Sequence, residues 1–160
     1  MATRSDIWLL GIRPSRRAAT ALLPTGKRSN SADRLRRMLG MTVKEFLAAF
    51  PQRANVLDRV RGHRLAREVK GTVYVLGREA WRCLDLPWVE FFHSHGRAGA
   101  VFFLIPHPSG KSLIYNEEHN RTRLRRLMCR HSSGSTSTAT TSSSREPESP
   151  DLAPSRGARG

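Results

Sequence analysis

Phe102-Phe103-Leu104-Ile105-Pro106-His107-Pro108-Ser109-Gly110 is an apolar run stopped by a turn that two prolines stiffen. The run is far shorter than the ~18–20 residues that span a bilayer, so it reads as a buried strand. The turn after it carries one imidazole. In an α/β sheet, ligands bind beyond the carboxyl ends of the strands. A histidine fixed there is placed for chemistry more than for packing. A second turn of this kind opens the chain, where Ile7-Trp8-Leu9-Leu10 leads into Gly11-Ile12-Arg13-Pro14-Ser15. Two strand-end turns, one near each end of a domain, are expected to face one another across a single cleft.

Between these turns, strand and helix patterns alternate. Residues 13–30 form a polar, basic loop with Pro14, Arg16, Arg17, Pro24, Gly26, Lys27 and Arg28. Irregular loops of that length are more often functional than filler. A helix follows, capped by Asn30 or Ser31, with Asp33 in its first turn. Leu35, Met38 and Leu39 share one face, and Gly40 ends it. Thr42 and Glu45 have the spacing of a capping box for a second helix. That helix is expected to bury Phe46, Leu47 and Phe50 and to stop at Pro51.

Residues 54–57 read as a short strand and 58–69 as a basic helix. Residues 72–76 are β-rich and bounded by Gly71 and Gly77, which predicts a buried strand. A short helix covers 78–84. Residues 89–92 and 100–105 read as a hairpin around 93–99. The last helix, 117–130, has an apolar stripe of Leu124, Leu127 and Met128. Arg121, Arg123, Arg125, Arg126 and Arg130 lie elsewhere on it. Trp8, Trp81 and Trp88 are expected in or beside the core, and so is Phe50. The pattern predicts an α/β domain over residues 1–130, a three-layer sandwich around a mainly parallel, four-stranded central sheet. From residue 131 the composition turns to Ser, Thr, Gly, Pro and Ala, which predicts a disordered tail over 131–160.

The chain has 160 residues and a net charge of +15. Beyond residue 130, Arg145, Arg156 and Arg159 are balanced by Glu146, Glu148 and Asp151, so the excess lies within residues 1–130. A domain this basic points to a polyanionic partner, with nucleic acid first and a merely solvated arginine-rich surface second. Cys83 and Cys129 are the only cysteines and form no Cys-x-x-Cys motif. That argues against a disulfide framework, a four-cysteine zinc site and an iron–sulfur cluster, and favours buried thiols of a cytoplasmic protein. No apolar run is long enough for a membrane span, and residues 1–6 lack the core of a secretory signal.

Pro108-Ser109-Gly110-Lys111-Ser112 resembles half of a phosphate-binding loop. That motif requires glycine where Ile105 stands and a helix opening at the Lys-Ser, so a nucleotide triphosphatase is rejected. His93 and His95 have strand spacing, but no third metal ligand is evident, and a solvated hairpin loop is the better reading.

Three turns occur in a telling order: Gly11-Ile12-Arg13-Pro14-Ser15, then Leu76-Gly77-Arg78, then His107-Pro108-Ser109-Gly110. This order resembles the uracil-DNA glycosylase superfamily, and more closely its small members from bacteria and phages. The resemblance covers about residues 6–128. It implies a glycosylase-like fold and recognition of uracil or a related deaminated base in DNA. Such enzymes flip a nucleotide out of the duplex and hydrolyse its N-glycosidic bond. By position, the resemblance makes His107 the catalytic residue that supports the departing base. Gly11, Ile12, Arg13, Pro14 and Asn55 would form the base pocket, with Asn55 reading the pyrimidine edge. Ser15, Arg16, Arg17, Ser109, Gly110 and Lys111 would hold DNA. No cofactor or metal is implied, DNA is the expected partner, and the protein is expected to act as a monomer.

The chain also departs from the family pattern. Well-known members carry aspartate or asparagine for the water where Arg13 stands, and arginine stays protonated. Asp6, Asp58 and Glu79 are candidate bases by elimination. The leucine wedge of the family is Lys111 here, with Leu113, Ile114 or Tyr115 as substitutes. Two readings therefore stand side by side, an active base-excision enzyme and a non-catalytic nucleic-acid binder of the same fold. A third is an interaction protein whose cleft is a relic.

Overall fold

A computed structural model describes residues 6–12, 22–25, 30–109 and 112–132. The elements in chain order are β1 (Ile7–Gly11), α1 (Ser31–Leu39), α2 (Val43–Ala49), β2 (Gln52–Asn55), α3 (Arg59–Glu68), β3 (Gly71–Leu76), α4 (Arg78–Cys83), β4 (Ser94–Arg97), β5 (Ala100–Ile105) and α5 (Glu118–Ser132). A 3-10 turn, Leu113–Asn116, precedes α5. The expected tail lies outside the described residues from 133 onward, while α5 itself runs past the expected boundary at 130.

The sheet has five strands in the order β2-β1-β3-β5-β4. The first four run parallel, and β4 pairs antiparallel with β5 at the edge. The three-layer α/β architecture is therefore present with one strand more than the four expected. The fifth strand comes from the hairpin, whose first arm is Ser94–Arg97 rather than 89–92. Its register is set by the two-residue turn Ala98-Gly99, where φ is +52° and +83°. Positive φ at both central residues is the signature of the hairpin turn whose twist matches the strands it joins. Arg97 must then pair Ala100, and Ser94 must pair Phe103. Residues 89–91 are left as loop. His95 thus sits in a strand and not in a loop. β2 is likewise displaced from 54–57 to Gln52–Asn55, although the Val56 and Leu57 amides still bond the Gly11 and Ile12 carbonyls at 2.7 and 2.9 Å.

Local chemistry explains the helix ends. The Asn30 side chain accepts from the Ala32 amide at 2.8 Å, so Asn30 rather than Ser31 caps α1. Gly40 closes α1 at φ +71°, a conformation that glycine takes without strain. Thr42 and Glu45 form both bonds of a capping box, at 2.7 and 3.2 Å. Caps of this kind contribute about 1 kcal/mol each.

Successive strand residues point to opposite faces, which splits the core in two. Leu9, Tyr74, Leu76 and Ile105 face α1, α2 and α5, meeting Leu35, Phe46, Phe50, Leu124 and Met128. Leu10, Val73, Val75, Phe102 and Leu104 face α3 and α4, meeting Ala66, Ala80 and Trp81. The chain leaves β1 toward β2 through helices on one face. It leaves β3 toward β5 through α4 on the other face. The strand order therefore reverses between β1 and β3, and the crevice at their carboxyl ends is where this architecture takes ligands. Among the described residues, no helix is long and apolar enough to cross a membrane.

Candidate functional site

The carboxyl edge of the sheet collects the chemistry-bearing side chains. Asn55 ends β2 opposite Gly11, the last residue of β1. Asn55 is 7% exposed, and among the described residues its Oδ1 has no hydrogen-bond partner. An orphaned buried acceptor of this kind costs about 1–3 kcal/mol. Such a cost is tolerated where a ligand supplies the missing donor. A Cβ placed on Gly11 would lie 3.2 Å from Asn55 Oδ1 and 3.3 Å from a Leu22 methyl. Glycine therefore leaves the amide its room, and Leu22 walls that space.

The wall is pinned from α1. Asp33, fully buried in the first turn of α1, accepts from the Thr25 amide at 2.7 Å and the Thr25 hydroxyl at 3.3 Å. Asn30 donates to the Leu23 carbonyl at 2.8 Å. These bonds draw Leu22–Thr25 back against the sheet. Leu22 and Leu57 both take positive φ, +53° and +63°, beside the same two strand ends. Non-glycine residues in that region are uncommon and gather at functional sites.

His107 stands two residues beyond β5. A Cβ on Gly77 would lie 3.2 Å from His107 Cβ, and Gly77 holds φ +91°. Only glycine satisfies both the space and the backbone at that position. From the other side, the buried Tyr115 donates its hydroxyl to the Pro106 carbonyl at 2.7 Å. The turn that carries the imidazole is thus held between the end of β3 and the 3-10 turn. Burial pushes its pKa below the ordinary histidine value, against the pull of the Glu79 charge. His107 is therefore neutral at pH 7, with one ring nitrogen that donates and one that accepts. Among the described residues, none forms a hydrogen bond with the ring.

Gly11, Ile12, Asn55, His107 and Ser109 are thus brought to one edge. Arg13, Pro14, Ser15, Arg16, Arg17, Gly110 and Lys111 lie outside the described residues. Of the substitutes for the wedge, Tyr115 is buried and its hydroxyl is taken, whereas Leu113 is 72% exposed. Of the candidate bases, Asp6 lies at the amino end of the sheet, where its backbone abuts Gly71. Asp58 is spent capping α3, accepting from the Arg61 amide at 2.9 Å. Glu79 lies at the carboxyl edge, where its charge acts on His107.

Comparison with protein-family models, with curated proteins and with solved structures finds no match. The site therefore has to be read from its own chemistry. Among the described residues, no group of three His, Cys, Asp or Glu side chains is gathered to hold a metal.

The helix that leaves this edge is cationic along its exposed side. Arg123, Arg125, Arg126 and Arg130 are exposed on α5. Arg125 donates from Nε to the Met38 carbonyl at 2.7 Å, which fastens α5 to the end of α1. On the opposite layer, a recess of about 670 Å³ runs along α3 and is lined by Arg59, His63, Arg64 and Arg67 with Glu68 and Asp85.

Four contributors escaped sequence reasoning: Leu22 as the pocket wall, Asp33 and Asn30 as its anchors, and the Tyr115 hydroxyl as the brace of the proline turn. Asn30 carried a signal as a cap. Asp33 reads only as a first-turn acid and Tyr115 only as a wedge substitute, because their roles here depend on partners distant in the chain, and Leu22 carried no signal.

Proposed function

We propose that the chain recognises uracil or a related deaminated base in DNA, in the manner of a uracil-DNA glycosylase, and hydrolyses its glycosidic bond. The observation that carries this reading is the orphaned Oδ1 of Asn55, buried at the edge that also presents a neutral histidine on a held turn. A uracil edge offers an N–H flanked by two carbonyl oxygens. An asparagine amide pairs such an edge with one acceptor and one donor. Asn55 and His107 end strands three places apart. At about 4.8 Å per strand their backbones are separated by roughly 14 Å, a span that the two side chains, turned toward each other, would narrow to about the width of a base.

Bond cleavage places negative charge on the departing base. A neutral imidazole donating one N–H stabilises that charge, and donors aimed at developing charge commonly contribute more to catalysis than any other single effect. Glu79, whose charge reaches His107, is the acidic side chain beside it to which we assign the orienting of a water. Leu113, exposed beside the turn, fills the vacated stack. The arginines of α3 and α5 neutralise phosphates, which makes affinity fall steeply with salt.

One observation favours a second reading. Arg13 occupies the first-turn position at which the glycosylase pattern requires a residue for the water. Under that reading the cleft binds the base without cleaving it. Labelled uracil-containing oligonucleotides, single- and double-stranded, followed by alkali, separate the two. The enzyme reading predicts strand breaks at uracil and none in a thymine control. Tighter binding of the uracil strand without breaks supports the binder. Equal affinity for both strands, with no breaks, contradicts both.

A further inference from the structure

We propose that Trp88 is a stacking platform for an unpaired nucleobase, making single-stranded DNA the preferred nucleic acid of this protein; the proposal rests on the DNA-base reading above. Trp88 was expected in or beside the core, yet it is 73% exposed. An indole left in water is unusual, since tryptophan is highly buried on average. This one is also held in place. The Arg78 guanidinium lies 5.2 Å from the Trp88 ring centre and 4.5 Å from that of Phe91, so it is shared between the two rings. Its Nη1 donates to the Val89 carbonyl at 3.0 Å. The cation covers part of the indole while most of it stays open, and the cost of ordering the ring is already met before a ligand arrives.

Position links the platform to the site. Arg78 follows Gly77, which lies against His107. The loop that bears Trp88 returns to the sheet at Phe92, whose amide bonds the Leu104 carbonyl at 2.7 Å near the end of β5. The platform therefore stands at the carboxyl edge, next to the proposed base pocket. Arg123 of α5 lies 5.1 Å over the Phe92 ring, so the phosphate-binding helix touches the same loop.

Charge selects the occupant. Exposed Glu90 lies two residues from Trp88 in the loop, which disfavours a phosphate on the ring itself. A flat, uncharged base face has no such conflict. In duplex DNA the faces of neighbouring bases are already stacked, so the platform rewards an unpaired strand. Base–aromatic stacking contributes about 1–3 kcal/mol per base in single-strand binders.

The test titrates the full chain with a thymine oligonucleotide and with a duplex of the same length, for wild type, Trp88→Ala and Trp88→Phe. Trp88→Ala is expected to weaken single-strand binding about tenfold and duplex binding less than about twofold, while Trp88→Phe keeps most of the single-strand affinity. Trp88 should also account for most of the tryptophan quenching by the single strand. Unchanged affinities, or equal losses on both DNAs, overturn the proposal. So does a wild-type dimer that Trp88→Ala dissociates, which would make the ring a contact between copies. If wild type binds neither DNA, the base-recognition reading falls with it. If wild type binds and the variants do not differ, only the platform falls.

Discussion

His107→Ala is expected to slow uracil release by about 10²–10³-fold, the effect of removing one donor aimed at charge that develops in the transition state. Affinity for the same DNA should stay within about twofold, because phosphate contacts from the arginines supply most of the binding. The fold should not suffer. The ring forms no hydrogen bond among the described residues, and the turn that carries it is held by Tyr115 through the Pro106 carbonyl rather than through the imidazole. The loss would then appear in the rate of the chemical step and not in binding or melting. His107→Gln, which restores a neutral donor of similar reach, should recover part of the rate. Single-turnover excision with saturating protein checks both variants. A His107→Ala enzyme as fast as wild type would remove this residue from the mechanism.

Gly62→Ala is expected to be strongly damaging. Helix propensity alone would favour alanine by about 1 kcal/mol at a mid-helix position. Packing reverses the sign. A Cβ at Gly62 would lie 2.0 Å from the Cys83 carbonyl oxygen and 2.5 Å from its carbon. Both are backbone atoms at the end of α4, so no side chain can swing aside. The two helices must separate, loosening the layer that holds Ala66, Ala80 and Trp81 against β3 and β5. Overpacking costs about 1–3 kcal/mol and occasionally more, and a clash with rigid backbone belongs at the top of that range, which outweighs the propensity gain. For a domain of this size a net loss of about 2–3 kcal/mol lowers the melting temperature by roughly 10 °C. Thermal unfolding followed by circular dichroism reads this directly. A variant that melts at or above the wild-type temperature would show that α3 and α4 are not in this contact.

The parts of the fold legible in the sequence are those whose signals are local. The Thr42/Glu45 box, the Gly40 stop and the β-rich run between Gly71 and Gly77 each rest on residues within one or two turns. They appear where the spacing places them. The hairpin register was not legible, because it depends on which two residues take positive φ. Ala98 carries no strong preference for that role. Trp88 was misplaced for a related reason. A tryptophan's apolar surface argues for burial, and only the tertiary arrangement shows Arg78 holding the ring at the surface. At the site, His107 announced itself through its flanking prolines. The role of Asn55 depended on its burial, and burial depends on Gly11 and Leu22, which lie more than thirty residues away in the chain. Asp33 reads locally as a first-turn acid. Its buried grip on Thr25 reaches back eight residues into the basic loop, and no periodicity encodes it.

Base recognition at this edge requires that a base enter the space beside Asn55. The most direct measurement is the NMR signal of the Asn55 side-chain amide during titration with a uracil-containing oligonucleotide and with its thymine counterpart. Entry of the base predicts a large shift of the Asn55 amide protons with the uracil strand, accompanied by the His107 ring signals, and little change at either residue with thymine. Binding of the uracil strand that moves the arginine signals of α5 while Asn55 and His107 stay where they were would contradict it.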